Sequence, residues 1–449
     1  MKGLEIKFYV LVIVSFVLTC FLVGYSMPGS GWAEEKSPPT VAQLAKGEGG
    51  GWLPPSIEKL TQGKVKEGDL ITKDNVDLVK EYLALSVYEC VKKGMVLRMA
   101  KNLPPEKIVP RFYWEATAAN QGKAIMDKNG TVRLQDGSPW PGGIPFPNPK
   151  TPLEAMANTK FGHPVDNLIL SNAHTLYVNT NGNIDKDSVM DIWTIYTTSR
   201  TKMPTLGAIP GCENLQWKTV GVFKSPLELK GTGQLNIRHY DEYKEPDEGF
   251  AYIPAFKRLL RVSATTYQDN VGGSDYTYGD AGGIREPYAY WDFKSINKKL
   301  MLLPEPKSPI PFVTEAGKVN SELKFDHGHS FSQLGWAITP TIVIEATPTI
   351  NHVYGKKVLY MYDLPYYSGT PDPVTLVDIY DRQMKLWKSY IGGRDVITVD
   401  GLDYGNSFCE LVMYDLQTGH STVSPRRPII NPPMKADEVN LTKLLQLGR

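Results

Sequence analysis

The chain carries almost no net charge, few cysteines and none of the common catalytic signatures, and each shortage excludes something. Its 49 Lys and Arg side chains nearly cancel 48 Asp and Glu, so there is no electrostatic case for a nucleic-acid partner. No Gly-x-Ser-x-Gly elbow, HExxH pair, P-loop or dinucleotide fingerprint after a strand occurs, which counts against the commonest hydrolase, zinc-peptidase and nucleotide-binding readings. Four cysteines occur without a CxxC spacing, which argues against a zinc ribbon or a redox dithiol. Long helical patterns are scarce, and there is no internal repeat or low-complexity tail. Glycine (40), proline (34) and tyrosine (24) are abundant instead. Average usage is roughly 7% Gly and 5% Pro, and the excess favours many short strands and turns over a helical bundle. The class is mainly β.

At the N-terminus Lys2 and Lys7 precede an apolar run over residues 8–23, and Gly31-Trp32-Ala33 places small residues where a signal peptidase reads. A signal peptide over residues 1–33 is expected, with the mature chain beginning near Glu34 in the periplasm, where association with the outer membrane is a further expectation. The rival reading is an uncleaved anchor, since a spanning helix needs roughly 17 to 25 residues. Cys20 suits lipidation poorly, because Thr19 precedes it and Phe21-Leu22-Val23 follows. Loss of residues 1–33 removes Lys2, Lys7 and Glu5, leaving 47 basic and 47 acidic side chains. Export permits a disulfide, but which of Cys90, Cys212 and Cys409 would pair is not legible.

Residues 34–150 read as an N-terminal arm. A Gly/Pro-rich extended stretch leads into one amphipathic helix over about 73–93, with Thr72 as cap, Val76, Val79, Leu83, Val87 and Val91 on one stripe, and Gly94 as stop. Residues 139–149 are too proline-dense for any element interior. Directly after them Thr151-Pro152-Leu153-Glu154 forms a capping box with proline at the first helical position. From about residue 165 the apolar period becomes two, with Asn181-Gly182 as a turn signal and strand candidates continuing to residue 414. Residues 151–430 are therefore expected to form one antiparallel domain that curls to protect its edges, followed by a tail over 431–449.

Three constellations have chemical potential. Asp326-His327-Gly328-His329 offers two imidazoles and a carboxylate, but a polar loop is the simpler reading. The glycine- and aspartate-rich run from Asp269 to Asp280 gathers oxygen ligands without the glutamate that closes an EF-hand loop, so a tight connection is expected rather than a calcium site. Lys257, Arg258 and Arg261 lie on a strand that reads as a solvated edge, or as a contact for acidic headgroups or a partner. No metal, cofactor or catalytic residue is expected.

Six blocks carry a family resemblance. They are residues 142–155 (GGIPFPNPKTPLEA), 252–261 (YIPAFKRLLR), 273–280 (GSDYTYGD), Glu345-Ala346 with 356–360 (KKVLY), Tyr380-Asp381 with Leu386-Trp387, and 414–419 (YDLQTG). Together they resemble the family catalogued as domain of unknown function 1329, exported proteins similar to the LolA, LolB and LppX lipoprotein carriers. The resemblance implies an incompletely closed antiparallel β-barrel, LolA-like, with short covering helices around an apolar cavity. It also implies partners in the envelope: a transporter of the resistance-nodulation-division type and an outer-membrane protein. Leu259 and Leu260 depart from the family, where basic residues are common at these positions, and this weakens the headgroup reading.

The functional expectation is a non-enzymatic carrier or receptor for a lipid, a lipoprotein acyl chain or another amphiphile. Alternation along strands suggests Trp193 with Ile195, and Val358 with Tyr360 and Tyr362, as the lining of its pocket. The alternatives are an interaction module that scaffolds a transporter or outer-membrane complex without ligand, and a hydrolase whose site follows no known signature.

Overall fold

The computed structural model describes residues 37–262, 266–305, 312–323, 334–366 and 374–448. The expected signal peptide and the Asp326-to-His329 motif lie outside the described residues.

The described residues begin with α1 (Val41–Lys46), α2 (Ile57–Leu60), β1 (Leu70–Ile71), α3 (Leu85–Lys92), β2 (Leu97–Met99), α4 (Arg111–Asn120) and the short hairpin β3 (Ile125–Met126) and β4 (Val132–Arg133). After α5 (Pro152–Phe161) come β5 (Asn167–Val178), β6 (Ile184–Tyr196), β7 (Leu215–Ser225), β8 (Gly233–His239), β9 (Glu248–Ile253) and β10 (Arg258–Val262). A second run follows: β11 (Trp291–Pro304), β12 (Gly335–Pro348), β13 (Lys356–Tyr362), β14 (Val374–Tyr380), β15 (Leu386–Val399), β16 (Leu402–Asp415), β17 (Ser421–Pro425) and β18 (Arg427–Ile430). The last helix is α6 (Leu441–Leu447).

Sixteen of these strands make one sheet. β5 to β10 form one antiparallel meander and β11 to β17 another, and the two are joined where β17 pairs with β5, with β18 on the rest of the same β5 edge. The sheet runs from β1 and β2, joined to β12 by a parallel pairing, to the edge strand β10, and β11 pairs with β12 alone; β10 and β11 are thus neighbours in sequence but lie far apart in the ladder. The barrel is therefore incompletely closed, and the chain between β10 and β11 has to cross it.

Ladder partners share a face, so one face can be followed from strand to strand through Lys357, Ile379, Lys388 and Asp415, then Met413, Thr422 and Tyr177. The crossing segment, residues 266–290, lies on this inner face. Lys357 Nζ donates to Asp280 Oδ1 and to the Gly283 carbonyl, both at 2.8 Å, Thr422 Oγ1 donates to Asp275 Oδ2 at 2.7 Å, and Tyr177 Oη donates to the Gly272 carbonyl at 2.8 Å. The outer face is covered elsewhere. α3 packs on β14 and β15, and α6 packs over Ile195, Val220, Val222 and Leu235.

The helix expected over 73–93 is split. Residues 76–82 form a 3-10 helix, Leu83 and Ala84 are extended, and α3 starts afresh at Leu85. The cause is a cap from far away in sequence: Asp378 of β14 accepts the N–H groups of Leu85 and Ser86 at 3.2 and 3.0 Å, and carboxylates at a helix start satisfy amides that have no intrahelical partner. The break lets Leu83 and Ala84 bury. α5 begins as the sequence indicates. Thr151 Oγ1 accepts from Glu154 N, Glu154 Oε2 accepts from Thr151 N, both at 3.2 Å, and Pro152 occupies the first turn. The proline-dense segment before it is anchored by fully buried Trp140, whose indole donates to the Gly143 carbonyl at 2.8 Å. Gly143 has φ +79°, and a Cβ there would lie 2.5 Å from Thr117 N of α4, so only glycine permits this approach.

Candidate functional site

A cavity of about 300 Å³ lies on the inner face between β5 to β8 and the crossing segment, with Tyr390, Leu411 and Ser424 completing its wall. Strand alternation aims one residue in two at it. β6 contributes Met190, Ile192, Thr194 and Tyr196, β7 contributes Trp217, Thr219 and Gly221, and β8 contributes Gln234, Asn236 and Arg238. On β5 the lining residues change from even to odd, from Leu168 and Leu170 to Ala173 and Thr175. A bulge between Leu170 and Ala173, with Asn172 at φ +50°, makes that change possible.

Register turns these residues into rows. Tyr196, Trp217 and Arg238 are ladder partners across three strands; next come Thr194, Thr219 and Asn236, then Ile192, Gly221 and Gln234. Beside Ile192 and Thr194, β5 supplies Leu170 and Leu168. The cavity thus has an apolar floor and a polar, cationic end. At that end two guanidinium groups approach the Trp217 ring, Arg238 at 5.2 Å and Arg285 at 4.6 Å from its centroid. Lys160 of α5 stands over the Tyr288 ring and pairs with Glu242, while Arg238 pairs with Asp247 at 2.9 Å and with Glu242 at 3.1 Å. Burial, with Arg238 as a like charge nearby, brings Lys160 down to about 8 despite Glu242. Burial alone would raise Asp247, but Arg238 holds its carboxyl below the usual range. Arg426 bounds the other side of the cavity, donating to Ser424 Oγ at 2.9 Å. Four cationic side chains line the space, Lys160, Arg238, Arg285 and Arg426, and no carboxylate does.

The lid over the cavity is the glycine- and aspartate-rich run. Its Tyr276, Thr277 and Tyr278 line the space. Its carboxylates are turned to protein donors: Asp275 accepts from Thr422 and meets His420 Nδ1, both at 2.7 Å, and Asp280 takes Lys357, the Tyr354 hydroxyl at 2.8 Å and the Thr277 N–H at 2.7 Å. Lys357 and Asp280 are both fully buried, and although burial would raise Asp280, the ammonium keeps it below its ordinary value. This is a tight connection pinned by ion pairs. Among the described residues no group of His, Cys, Asp and Glu could hold a metal. Cys90, Cys212 and Cys409 are all free thiols.

The five residues expected to line a pocket lie on the other face. Trp193 and Ile195 belong to the cluster beneath α6, with Lys443 of that helix 5.3 Å from the Trp193 ring. Tyr360 donates to Asp378 Oδ2 at 2.9 Å, on the side where Asp378 caps α3. Val358 is the ladder partner of Asp378, and Tyr362, two residues beyond Tyr360, donates to the Pro304 carbonyl at 2.6 Å. None of the five lines this cavity. The five alternate with the inner-face residues of the same strands, and alternation alone does not say which of the two phases meets the cavity. The cavity face mixes threonine, tyrosine and cations with its aliphatics and so gives a weak signal of its own. The basic strand does not line the cavity either. Lys257, Arg258 and Arg261 sit at or on the exposed edge strand β10, and Arg261 pairs with Glu248 at 3.3 Å.

The fold is thus a half-open antiparallel barrel around a cavity lined by aliphatic, polar and cationic side chains. The chain belongs to the family described as protein of unknown function (DUF1329), whose model matches residues 70–441. Among solved structures it is similar to an outer membrane lipoprotein-sorting protein domain from Vibrio parahaemolyticus, with 18% identity, coverage of 62% of this chain and 91% of that one, and a TM-score of 0.40. It is also similar to a DUF1329 family protein from Desulfovibrio piger, at 14% identity, 62% and 92% coverage and a TM-score of 0.40. A LolA superfamily protein from Nitrosomonas europaea matches at 11% identity, 64% and 94% coverage and a TM-score of 0.33. A search of curated proteins finds no match.

Proposed function

We propose that the protein is a non-enzymatic periplasmic carrier that holds a single-chain amphiphile with an anionic head in the inner-face cavity. The observation that carries this reading is the lining: four cations, no carboxylate, and an aliphatic floor formed by Leu168, Leu170, Met190 and Ile192. About 300 Å³ is at the lower end of the roughly 300 to 1,000 Å³ found for ligand pockets, which suits one chain rather than several. The chain would lie over the floor with its head at the Tyr196, Trp217 and Arg238 row. Ten buried methylenes contribute on the order of 8 kcal/mol before ordering costs, enough for reversible capture. Cargo exchange with an envelope transporter of the resistance-nodulation-division type and with an outer-membrane protein fits such a role.

The test is titration of delipidated protein with a fluorescent fatty acid, followed by displacement with dodecanoate or with dodecyltrimethylammonium. Dodecanoate should compete much better, and its affinity should fall as pH rises past about 8, where Lys160 loses its charge. Equal competition by the two would remove the anionic head from the proposal. Absence of saturable uptake would reject the carrier and leave the scaffold reading.

A further inference from the structure

The strand ends farthest from the cationic row carry a feature that ligand capture does not use. The turn between β7 and β8 and the turn between β9 and β10 lie side by side: Gly233 pairs with Tyr252, and a Cβ on Gly231 would lie 3.0 Å from Pro254 Cγ. Each turn projects a large apolar side chain into solvent, Leu227 at 85% and Phe256 at 68% exposure. Leu259, Leu260 and Val262 continue the exposed apolar surface along β10. The Phe256 tip is held in place, since Lys257 adopts φ +49° and its N–H donates to the Pro254 carbonyl at 3.0 Å. Among the described residues Lys230, Lys257 and Arg258 form no ion pair. With Glu228 as the one acid in the two turns, the tip carries three positive charges against one negative, a net of +2.

Protection of an edge strand accounts for Lys257 and Arg258, but it does not account for Leu227 or Phe256, which lie in turns and offer no ladder to protect. Single apolar side chains projecting from adjacent turns, ringed by unpaired cations, match the chemistry of an anionic lipid interface: the rings and methyls enter the acyl boundary and the cations meet headgroups. We propose that this end of the barrel docks the protein on an anionic membrane surface, with Phe256 and Leu227 inserted and Lys230, Lys257 and Arg258 at headgroup level.

The experiment is co-sedimentation of the full mature chain with vesicles of equal parts phosphatidylglycerol and phosphatidylcholine, and with vesicles of phosphatidylcholine alone. Binding should favour the anionic vesicles and weaken with salt. Neutralising Lys257 and Arg258 to Gln should lower partitioning roughly five-fold per charge. The double variant Leu227→Ser, Phe256→Ser should lower it by about a hundred-fold, whereas Leu206→Ser, which alters a leucine 65% exposed at the other end of the strands, should leave it unchanged. Fatty-acid uptake in solution should be intact in all of these, so failure here is separable from failure of the carrier reading. Full vesicle binding by the double variant, or none by the wild type, would overturn the proposal. So would a dimer in sedimentation velocity that the double variant dissolves while neither protein binds vesicles, because the patch would then be a self-interface.

Discussion

Adjacent residues on β6 should give opposite results. Ile192 faces the cavity, paired in the ladder with Leu170 and Gly221. Trp193 faces α6. Ile192→Asp removes about three methyl or methylene contacts with a bound chain, roughly 2.4 kcal/mol, and sets a carboxylate without a partner in the ligand's path, roughly 1 to 3 kcal/mol more. The sum, about 4 kcal/mol, corresponds to on the order of a thousand-fold loss of affinity. Trp193→Ala leaves the cavity untouched but strips packing from α6, and should cost roughly 2 kcal/mol of stability for a half-buried ring. Fluorescent fatty-acid titration reads the first quantity and urea denaturation the second. Uptake abolished by Trp193→Ala and preserved in a folded Ile192→Asp would refute the assignment of faces, as would equal loss in both.

Lys357→Met strands Asp280 in a fully buried site and should destabilise the protein by roughly 3 to 5 kcal/mol. The double variant with Asp280→Asn should recover part of that, and denaturation midpoints of the three variants check it. Burial holds Glu305 up at about 8, against an ordinary value of 4.5. Between those pH values the folded state keeps a proton that the unfolded state has lost, so this group's contribution is fully favourable below pH 4.5 and is lost as pH rises through 8. Glu305→Gln keeps an acceptor for Leu103 N–H, 2.9 Å away, and should raise stability at pH 8 by roughly 2 to 4 kcal/mol with little change at pH 4; a parallel shift at both pH values in thermal melts would contradict it. Thr151→Ala removes the cap of α5 and should cost roughly 0.5 to 2 kcal/mol, read from the urea midpoint.

Much of the fold was legible because local patterns and tertiary demands coincide. The Thr151 to Glu154 box starts α5, Asn181-Gly182 lies in the reversal between β5 and β6, and most period-two runs became strands. β8 and β15 carry weak strand signals for identifiable reasons. β8 places Gln234, Asn236 and Arg238 on its cavity face, which dilutes its apolar signal, and β15 carries Gly392 and Gly393 in its middle, which reads as a break. Arg238, central to the cationic end, was missed with its strand.

The site was less legible than the scaffold. Apolarity marks what is packed, and Trp193, Ile195 and Tyr360 are packed beneath α6 and α3. A ligand face has to stay solvated when empty, so it alternates aliphatic with polar residues and resembles an ordinary exposed strand. The bulge at Asn172, which moves the cavity phase of β5 from even to odd residues, also has no signature in composition.

The sequence by itself determined the β class, the antiparallel meander, the capped start of α5, the aspartate-rich run as a tight connection and the family, because these depend on short-range periodicity, turn chemistry and motif spacing. Only the tertiary structure decided which face of each strand meets the cavity, that Asp378 of β14 splits the arm helix, and that Lys160, Arg238, Arg285 and Arg426 converge on one space. Those outcomes depend on contacts between residues up to 293 positions apart, and on which side of a two-faced sheet each covering segment lands. Alternation leaves the two faces equivalent until something packs on one of them.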